Sequence, residues 1–547
     1  MQFPRSARRA VAACLALAAL GSSPAHAATQ QEVTAAVGAG AAWMRTQQNP
    51  STGQLTGFGG DYALSALAAA GVHPADVHDA GPSAQDHYAA QFAALTTPSS
   101  TAILFGAAAG IDTQRLSAST NLVAGLASAY NRAGELAGSF GGGATNLTAF
   151  SALALARVGA PAPVLARANA YLRGQQHTDG GWNFGRVETD AQRAAASSTD
   201  MTGAVLAALC ETGAGGGDPD VRAGLSLLEG RQDPATGGLG GNVDSTGWAV
   251  SGLNACGVDA QGGRFTTSSG LTPADYLLSQ QDASGAFLFS GSPNLYSTQN
   301  AVRVLAGEAF SAEPPRRAAA GDPRFRPVPA VAEGTATPHA LAVDDGRGDV
   351  RFCSVSAPAG ASLAAFLAAV ETEDGCVTSS TVSDGLLTEV NGSEGAWRIA
   401  LDRVPEAPAA AARAIAFGDT VLLRLPASAG GTQGVPGPAG ADGADGAPGP
   451  AGPAGAPGVA GAAGPAGPRG RRGRRGRRGP RGRVTCRVRS RRRVVCRVKR
   501  SARAKLTRGG RVYATGTAAR LRARRTLRPG RYTLRIGRRT AIAVSVR

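Results

Sequence analysis

The chain has 547 residues, of which 43% are hydrophobic and 17% charged. That length predicts several domains and excludes a single small disulfide-stapled fold, and that apolar fraction excludes wholesale disorder. The formal net charge of +18 is gathered at one end: residues 469–547 hold 31 of the 56 Lys and Arg and no Asp or Glu, leaving 25 basic against 38 acidic residues before them. The basic character therefore belongs to the tail. It weakens any reading of the whole protein as nucleic-acid-binding.

Arg5, Arg8 and Arg9 precede an apolar run from Ala10 to Leu20, and Ala25-His26-Ala27 follows it. This reads as a signal peptide over 1–27, cut after Ala27; the run is too short to span a bilayer. The mature chain is expected to be secreted or cell-surface associated. Its six cysteines fall two to a region: Cys210 and Cys256, Cys353 and Cys376, Cys486 and Cys496. Module boundaries favour disulfides within each pair. Buried free thiols are the alternative for the first pair.

Residues 28–311 alternate apolar helical runs with glycine-rich turns. First-layer helices are predicted at 32–47, 84–96, 117–131, 163–176, 219–232 and 273–281. Second-layer helices are predicted at 61–70, 99–109, 145–158, 199–211, 245–256 and 297–310. The joining turns repeat a word: Gly57-Phe58-Gly59-Gly60, Gly138-Ser139-Phe140-Gly141-Gly142, Gly180-Gly181-Trp182, Gly237-Gly238-Leu239 and Gly285-Ala286-Phe287. A helix hairpin cannot bury its apolar face alone, so such units stack, and twelve helices in pairs can close on themselves. Ser198, Asp244-Ser245-Thr246 and Ser297-Thr298 read as helix caps. Gln47-Gln48, Gln175-Gln176, Gln232 and Gln280-Gln281 read as scaffold residues that bond the next turn.

Gln176-His177-Thr178-Asp179-Gly180-Gly181-Trp182, with a Phe variant at Gln281 to Phe287, matches the Q-x-x-x-G-x-W repeat of squalene–hopene cyclases. The region resembles the terpene cyclase/protein prenyltransferase-like α/α toroid superfamily, which implies an all-α (α/α)6 ring. It says little about chemistry, because binding proteins share the ring. In the class II triterpene cyclases of that superfamily an Asp in a D-x-D-D-T-like word protonates the substrate. The nearest word is Asn242-Val243-Asp244-Ser245-Thr246. Asp244 aligns with the acid, but it lacks the flanking carboxylates that hold such an acid protonated, and it reads first as a cap. No H-E-x-x-H, C-x-x-C or thioester word is present, and no metal site is expected. Trp182, Phe184, Trp248 and Tyr296 are the candidate ligand-binding residues at the ring's mouth, with packing between repeats as the plainer reading of Trp182.

Residues 312–345 are rich in Pro and Ala and read as a linker. Residues 346–427 carry strand signals at Val350 to Val355, Leu386 to Val390, Trp397 to Ile399 and Thr420 to Leu425, and a short helix from Ser362 to Glu371. Val390-Asn391-Gly392, Trp397 and Phe417-Gly418-Asp419-Thr420-Val421 resemble the small β-rich C-terminal domain of transcobalamin-like proteins. The order, toroid then β domain, resembles the cobalamin carriers. That implies a corrinoid-like small molecule held between the domains and no chemistry.

Glycine stands at every third position from Gly431 to Gly482, within a collagen-like segment, 428–482. Only glycine fits the axis of a triple helix, so a homotrimer follows if the segment folds; the rival is an extended monomeric linker. The last module, 483–547, alternates Arg with apolar residues and predicts a small sheet with one basic face. It resembles the arginine-rich β modules at the ends of exported actinobacterial proteins. Arg471, Arg472, Arg474, Arg475, Arg477, Arg478, Arg491, Arg492 and Arg493 are expected to bind an anionic cell-envelope polymer by charge. No element for sequence-specific nucleic-acid recognition is present.

Together these features predict a multidomain, exported, non-enzymatic ligand-binding or adhesion protein. The alternatives are a terpene-cyclase-like enzyme with Asp244 as proton donor, and a purely structural collagen-like surface protein. A retained small molecule favours the first. Product formation lost in Asp244→Asn favours the second, and a ligand-free trimer the third.

Overall fold

The computed structural model describes residues 28–319, 321–373, 375–402 and 404–426, and seven strands between 484 and 546. The segment read as a signal peptide, the collagen-like segment and Arg471 to Arg478, Arg491 and Arg492 lie outside the described residues. The chain forms two compact units, divided after residue 441.

In the first unit, six helices form the inner wall of a closed ring: Tyr62–Ala69, Ser100–Ala108, Thr145–Val158, Thr199–Glu211, Val243–Ala255 and Leu295–Leu305. Each packs against the next, and the last packs against the first. Six more lie outside them: Gln30–Thr46, Ala84–Ala93, Leu122–Ala127, Ala162–Gly174, Pro219–Gly230 and Pro273–Ser279. The sequence explains the two layers. Met201 to Leu209 is buried without a break, as a helix enclosed on all sides requires. Pro219–Gly230 buries only Val221, Gly224, Leu225 and Leu228, one amphipathic stripe. The predicted helix 117–131 shrinks to Leu122–Ala127, because the residues before it are drawn into contacts with the β domain.

The repeated glutamines are joints. Gln176 Nε2 donates to the Gly180 and Asp220 carbonyls, Gln232 Nε2 to Gly237 and Phe265, and Gln281 Nε2 to Gly285 and Ala36. Each thus ties its own turn to the next outer helix or the loop beside it, and Gln281 ties the last repeat to the first. The turn residue is held from the other side: the amides of Trp182, Leu239 and Phe287 donate to Thr202, Thr246 and Thr298 Oγ1 at 3.1, 3.0 and 2.9 Å. Ser198 caps its helix as expected. For the next two inner helices the cap is Asn242 and Asn294 rather than Asp244 and Ser297, which lie one or two residues inside the first turn. In the first repeat Leu55, fully buried and bridged to Gln48, fills the place expected for Phe58, which is 79% exposed.

Cys210 and Cys256 are bonded and join the ends of two neighbouring inner helices; Cys353 and Cys376 are bonded in the β domain. The first closes a loop of 46 residues, which on chain-entropy grounds is worth about 3–4 kcal/mol. Cys210→Ala with Cys256→Ala is expected to lower unfolding stability by that order in a urea titration. An unchanged midpoint would contradict it.

The Pro-rich stretch expected as a linker is a strap across one end of the ring. Ser65 Oγ donates to the Phe310 carbonyl, Ser311 Oγ to Leu104, Arg157 Nη2 to Ala312 and the Arg326 amide to Gly110. Arg317 Nε meets Asp76 at 2.6 Å. From Ala336 onward the stretch is no linker at all but a strand, Ala336–Asp344.

That strand lies inside a five-stranded sheet, in the order Val350–Pro358, Ala336–Asp344, Thr420–Arg424, Arg398–Leu401, Ala407–Pro408. Thr420–Arg424 runs parallel to Ala336–Asp344; the other pairs are antiparallel. Leu341, Val343, Val421 and Leu423 point to the domain's own core, with Phe366, Leu367 and Trp397. The alternating Ala340, Ala342 and Leu422, with Phe352, join the core of the ring. The sheet is therefore buried on both faces, with the ring on one side and the helix Leu363–Val370 on the other. A second sheet of three short strands, Ser380–Ser383, Leu386–Val390 and Ser393–Glu394, completes the domain.

In the second unit the expected open sheet closes into a seven-stranded barrel. Its order is Val484–Ser490, Arg493–Cys496, Arg520–Ala523, Arg511–Thr517, Arg503–Arg508, Gly530–Ile536, Thr540–Val546. The last strand pairs parallel to the first, which leaves no sheet edge. Leu506, Ala514 and Tyr532 are buried. The register sets Lys505 opposite Arg535 and Thr515, Thr515 opposite Arg522, and Arg522 opposite Arg493. Cys486 stands opposite Cys496; their side chains lie outside the described residues.

Candidate functional site

The turns that lead into the inner helices gather at one end of the ring, its mouth. Four exposed large apolar residues belong to these turns or the first helical turn after them: Phe58, Leu147, Phe184 and Phe289. Scattered exposed apolar residues are ordinary, but a gathered patch marks a binding surface. Phe58 packs edge-on against Tyr296, ring centres 5.2 Å apart. Tyr296 accepts from Trp248 Nε1 at 3.1 Å, and Trp248 stands 6.5 Å from Phe184. Three of the four expected ligand-binding residues, Phe184, Trp248 and Tyr296, thus come together. Trp182 does not join them. It is fully buried, and its Nε1 donates to the Leu172 carbonyl at 2.7 Å, so it is a joint between repeats.

Phe58 belongs with the mouth, and the repeat word alone assigns it to packing. The signal that distinguishes it is the leucine three residues earlier, already spaced from Gln48 to fill the joint.

Below the mouth, aromatic side chains pack across the ring. Phe310, carried by the strap, packs against Phe150 at 5.2 Å and Trp248 at 5.4 Å, and the Arg303 guanidinium stacks over it at 5.0 Å. Asp244 sits near the mouth in the first turn of Val243–Ala255. Burial raises its carboxyl above the usual range. Hydrogen bonds from Ser297 and from the Asn300 amide, Nδ2 at 3.4 Å, oppose that rise, and the charge of Asp200 adds to it. Among the described residues it has no ion-pair partner and no second carboxylate bonded to it. That arrangement fits a hydrogen-bond acceptor at a helix start.

A second concavity lies where the ring meets the β domain, a cleft of 490 Å³. Tyr130 and Arg132 form one wall, and Phe352, Val355, Val370 and the Cys353–Cys376 region the other. Arg132 is held by Asp349 at 2.6 Å, and Arg351 donates to Asp349 and to the Gly375 and Cys376 carbonyls. The lining contains no histidine, and both guanidiniums are already committed, so these residues supply no feature specific to a corrinoid. Elsewhere the junction is joined by Phe352, Ala340 and Leu422 in the core of the ring and by Arg115. Its Nη2 meets Asp402 and Asp419 at 2.6 Å each, its Nη1 meets Asp112 at 3.1 Å, and its Nε donates to the Phe417 carbonyl.

Residues 429–486 match the family model of the collagen triple helix repeat, in 20 copies. This covers about a tenth of the chain. No curated protein matches. Among solved structures, the chain is similar to haptocorrin in complex with Cbi, at TM-score 0.31 and 10% identity, over 74% of this chain and 99% of that one. It is similar also to the type II terpene cyclase MstE from Scytonema, at TM-score 0.26 and 13% identity, over 50% of this chain and 98% of that one. A variant of that cyclase bound to geranylgeranyl dihydroxybenzoate gives TM-score 0.26 and 14% identity, over 51% and 97%. Likenesses at these scores carry no functional inference.

The collagen repeat and two disulfides fit an extracellular or surface protein. Among the described residues no helix is long and apolar enough to cross a membrane.

Proposed function

We propose that the chain is a non-catalytic, stalked surface protein. The ring and its docked β domain form a ligand-binding head, the collagen-like segment carries it as a homotrimer, and the basic module holds the assembly to an anionic envelope polymer. The observation that carries the binding reading is the mouth: exposed Phe58 packs on Tyr296 and exposed Phe184 stands by Trp248, which is bonded to Tyr296. Such a surface can hold an apolar ligand. The cyclase alternative has Asp244 near the mouth with Asp200 as a charge neighbour, but no carboxylate hydrogen-bonded to it among the described residues.

The charge distribution supports the anchoring role. All 31 Lys and Arg of residues 469–547 lie in a stretch with no acidic residue, and in the barrel register Arg493 faces Arg522 and Lys505 faces Arg535. A stretch so rich in cationic residues attracts a polyanion.

Native mass spectrometry of the full chain, taken from its own secreted or envelope fraction, tests the head and the stalk together. A trimer mass with a retained adduct is expected. A bare monomer would sink both. The anchor has its own check: binding of the full chain to a polyphosphate polymer is expected to weaken by about tenfold or more between roughly 50 and 200 mM salt. Salt-independent binding would contradict an electrostatic anchor.

A further inference from the structure

The helix Leu295–Leu305 turns a polar face inward. Tyr296, Gln299, Asn300 and Arg303 are spaced i, i+3, i+4 and i+7 and so share one side of it; the last three have no exposed surface. Arg303 is a fully buried guanidinium whose partners are all neutral. Nε donates to the Ala309 carbonyl at 2.5 Å, and Nη2 to Ser251 Oγ at 3.3 Å and Asn300 Oδ1 at 3.1 Å. Nη1 has no partner, and among the described residues no carboxylate pairs with the group. One turn nearer the mouth, Gln299 has neither its Nε2 nor its Oε1 partnered. Its Nε2 lies under the Gly57–Gly60 turn, 3.0 Å from where a Cβ on Gly59 would stand.

Leaving such groups unpaired in the interior is strongly unfavourable, and an unbalanced cation most of all. A water molecule satisfies an amide, but it does not neutralise a guanidinium. An apolar side chain at either position would fill the same space without that cost. The polar stripe begins at Tyr296, one of the residues of the apolar mouth.

We propose that this inner face is a binding site for a small amphipathic anion, a single carboxylate on an apolar body. The carboxylate pairs with Arg303 and Gln299, and the body lies against Trp248, Tyr296 and Phe184. Asp244, close to the mouth, disfavours a second negative charge on the body. The proposal rests on reading the mouth as a ligand site and adds the ligand's chemistry.

The test titrates phenylbutyrate and its neutral analogue phenylbutanol into the full chain, by calorimetry and by Trp fluorescence. The acid is expected to bind about tenfold or more tightly than the alcohol, and Arg303→Met to abolish that preference while keeping the helical circular dichroism. Should Arg303→Met fail to fold, Gln299→Leu decides: the acid is expected to lose affinity severalfold, the alcohol to change little. Equal binding of acid and alcohol overturns the anion site and leaves the mouth as a ligand site. A preference that survives Arg303→Met, or is untouched by Gln299→Leu, overturns it as well. Binding of neither probe overturns both readings.

Discussion

Arg115→Ala is expected to release the β domain from the ring. Arg115 is 18% exposed and stands among three carboxylates, Asp112, Asp402 and Asp419, which are 29%, 24% and 9% exposed. Burial works against its charge, but Asp402 and Asp112 outweigh burial and raise the guanidinium above its usual value. Beside it, Gln114 Nε2 donates to Asp402 Oδ1 and Thr420 Oγ1. Removing one partner of such a group leaves the others charged and half-buried together, a loss of about 3–5 kcal/mol. Calorimetry is expected to show the single melting transition split or fall, with new proteolytic cleavage in the strap between 312 and 335. Arg115→Lys should fall between the two, because one ammonium cannot meet Asp402, Asp419 and the Phe417 carbonyl in the same fork geometry.

The pH dependence of that loss has a definite sign. Burial, with the charge of Asp402 added, already raises the Asp419 carboxyl, and the Ala416 amide and Arg115 oppose the rise. Without Arg115 the docked state holds that proton still more tightly than the undocked state. Stability is then lost as pH rises through the raised value and regained below it. The variant should be hurt more at neutral pH than at mildly acid pH. Equal loss at both would mean that the carboxylates relax apart.

The second large effect is expected at a joint of the ring. Trp182 is fully buried, packs over Gly224 and donates its N–H to Leu172. Trp182→Ala should reduce stability by about 3–5 kcal/mol, read from the urea midpoint. Phe184→Ala, two residues on but 47% exposed, should change it by less than about 1 kcal/mol. If the two variants behave alike, the division into joint and mouth residues is wrong.

That pair also shows how far the chain could be read unaided. The helices were legible because their apolar spacing is helical throughout and glycine marks the turn in five of the six pairs. The glutamine joints were legible because the Q-x-x-x-G-x-W word recurs. Which aromatics leave the joint was not, since Trp182 and Phe184 differ only in which side of the turn they leave. The strand Ala336–Asp344 was hidden for a different reason. Both of its faces are buried, so His339-Ala340-Leu341-Ala342-Val343 lacks the alternation that marks a strand with one wet face. Arg303 was invisible as well, since no motif tells a buried arginine from an exposed one.

The ring's first helix has its partners at the far end of the ring. The Ala28 amide donates to Asp275 Oδ1 at 2.7 Å, 247 residues away, and Gln281 reaches back 245 residues to Ala36. A chain made from its N-terminus therefore presents Gln30–Thr46 long before Leu295–Leu305 exists to cover Val33 and Met44. Within the ring this seam joins residues some 245 positions apart, so it carries a large loop-closure cost and forms late. Up to that moment the nascent protein is an open spiral with a raw edge. A holding factor, or speed, must protect that edge until the circle is complete.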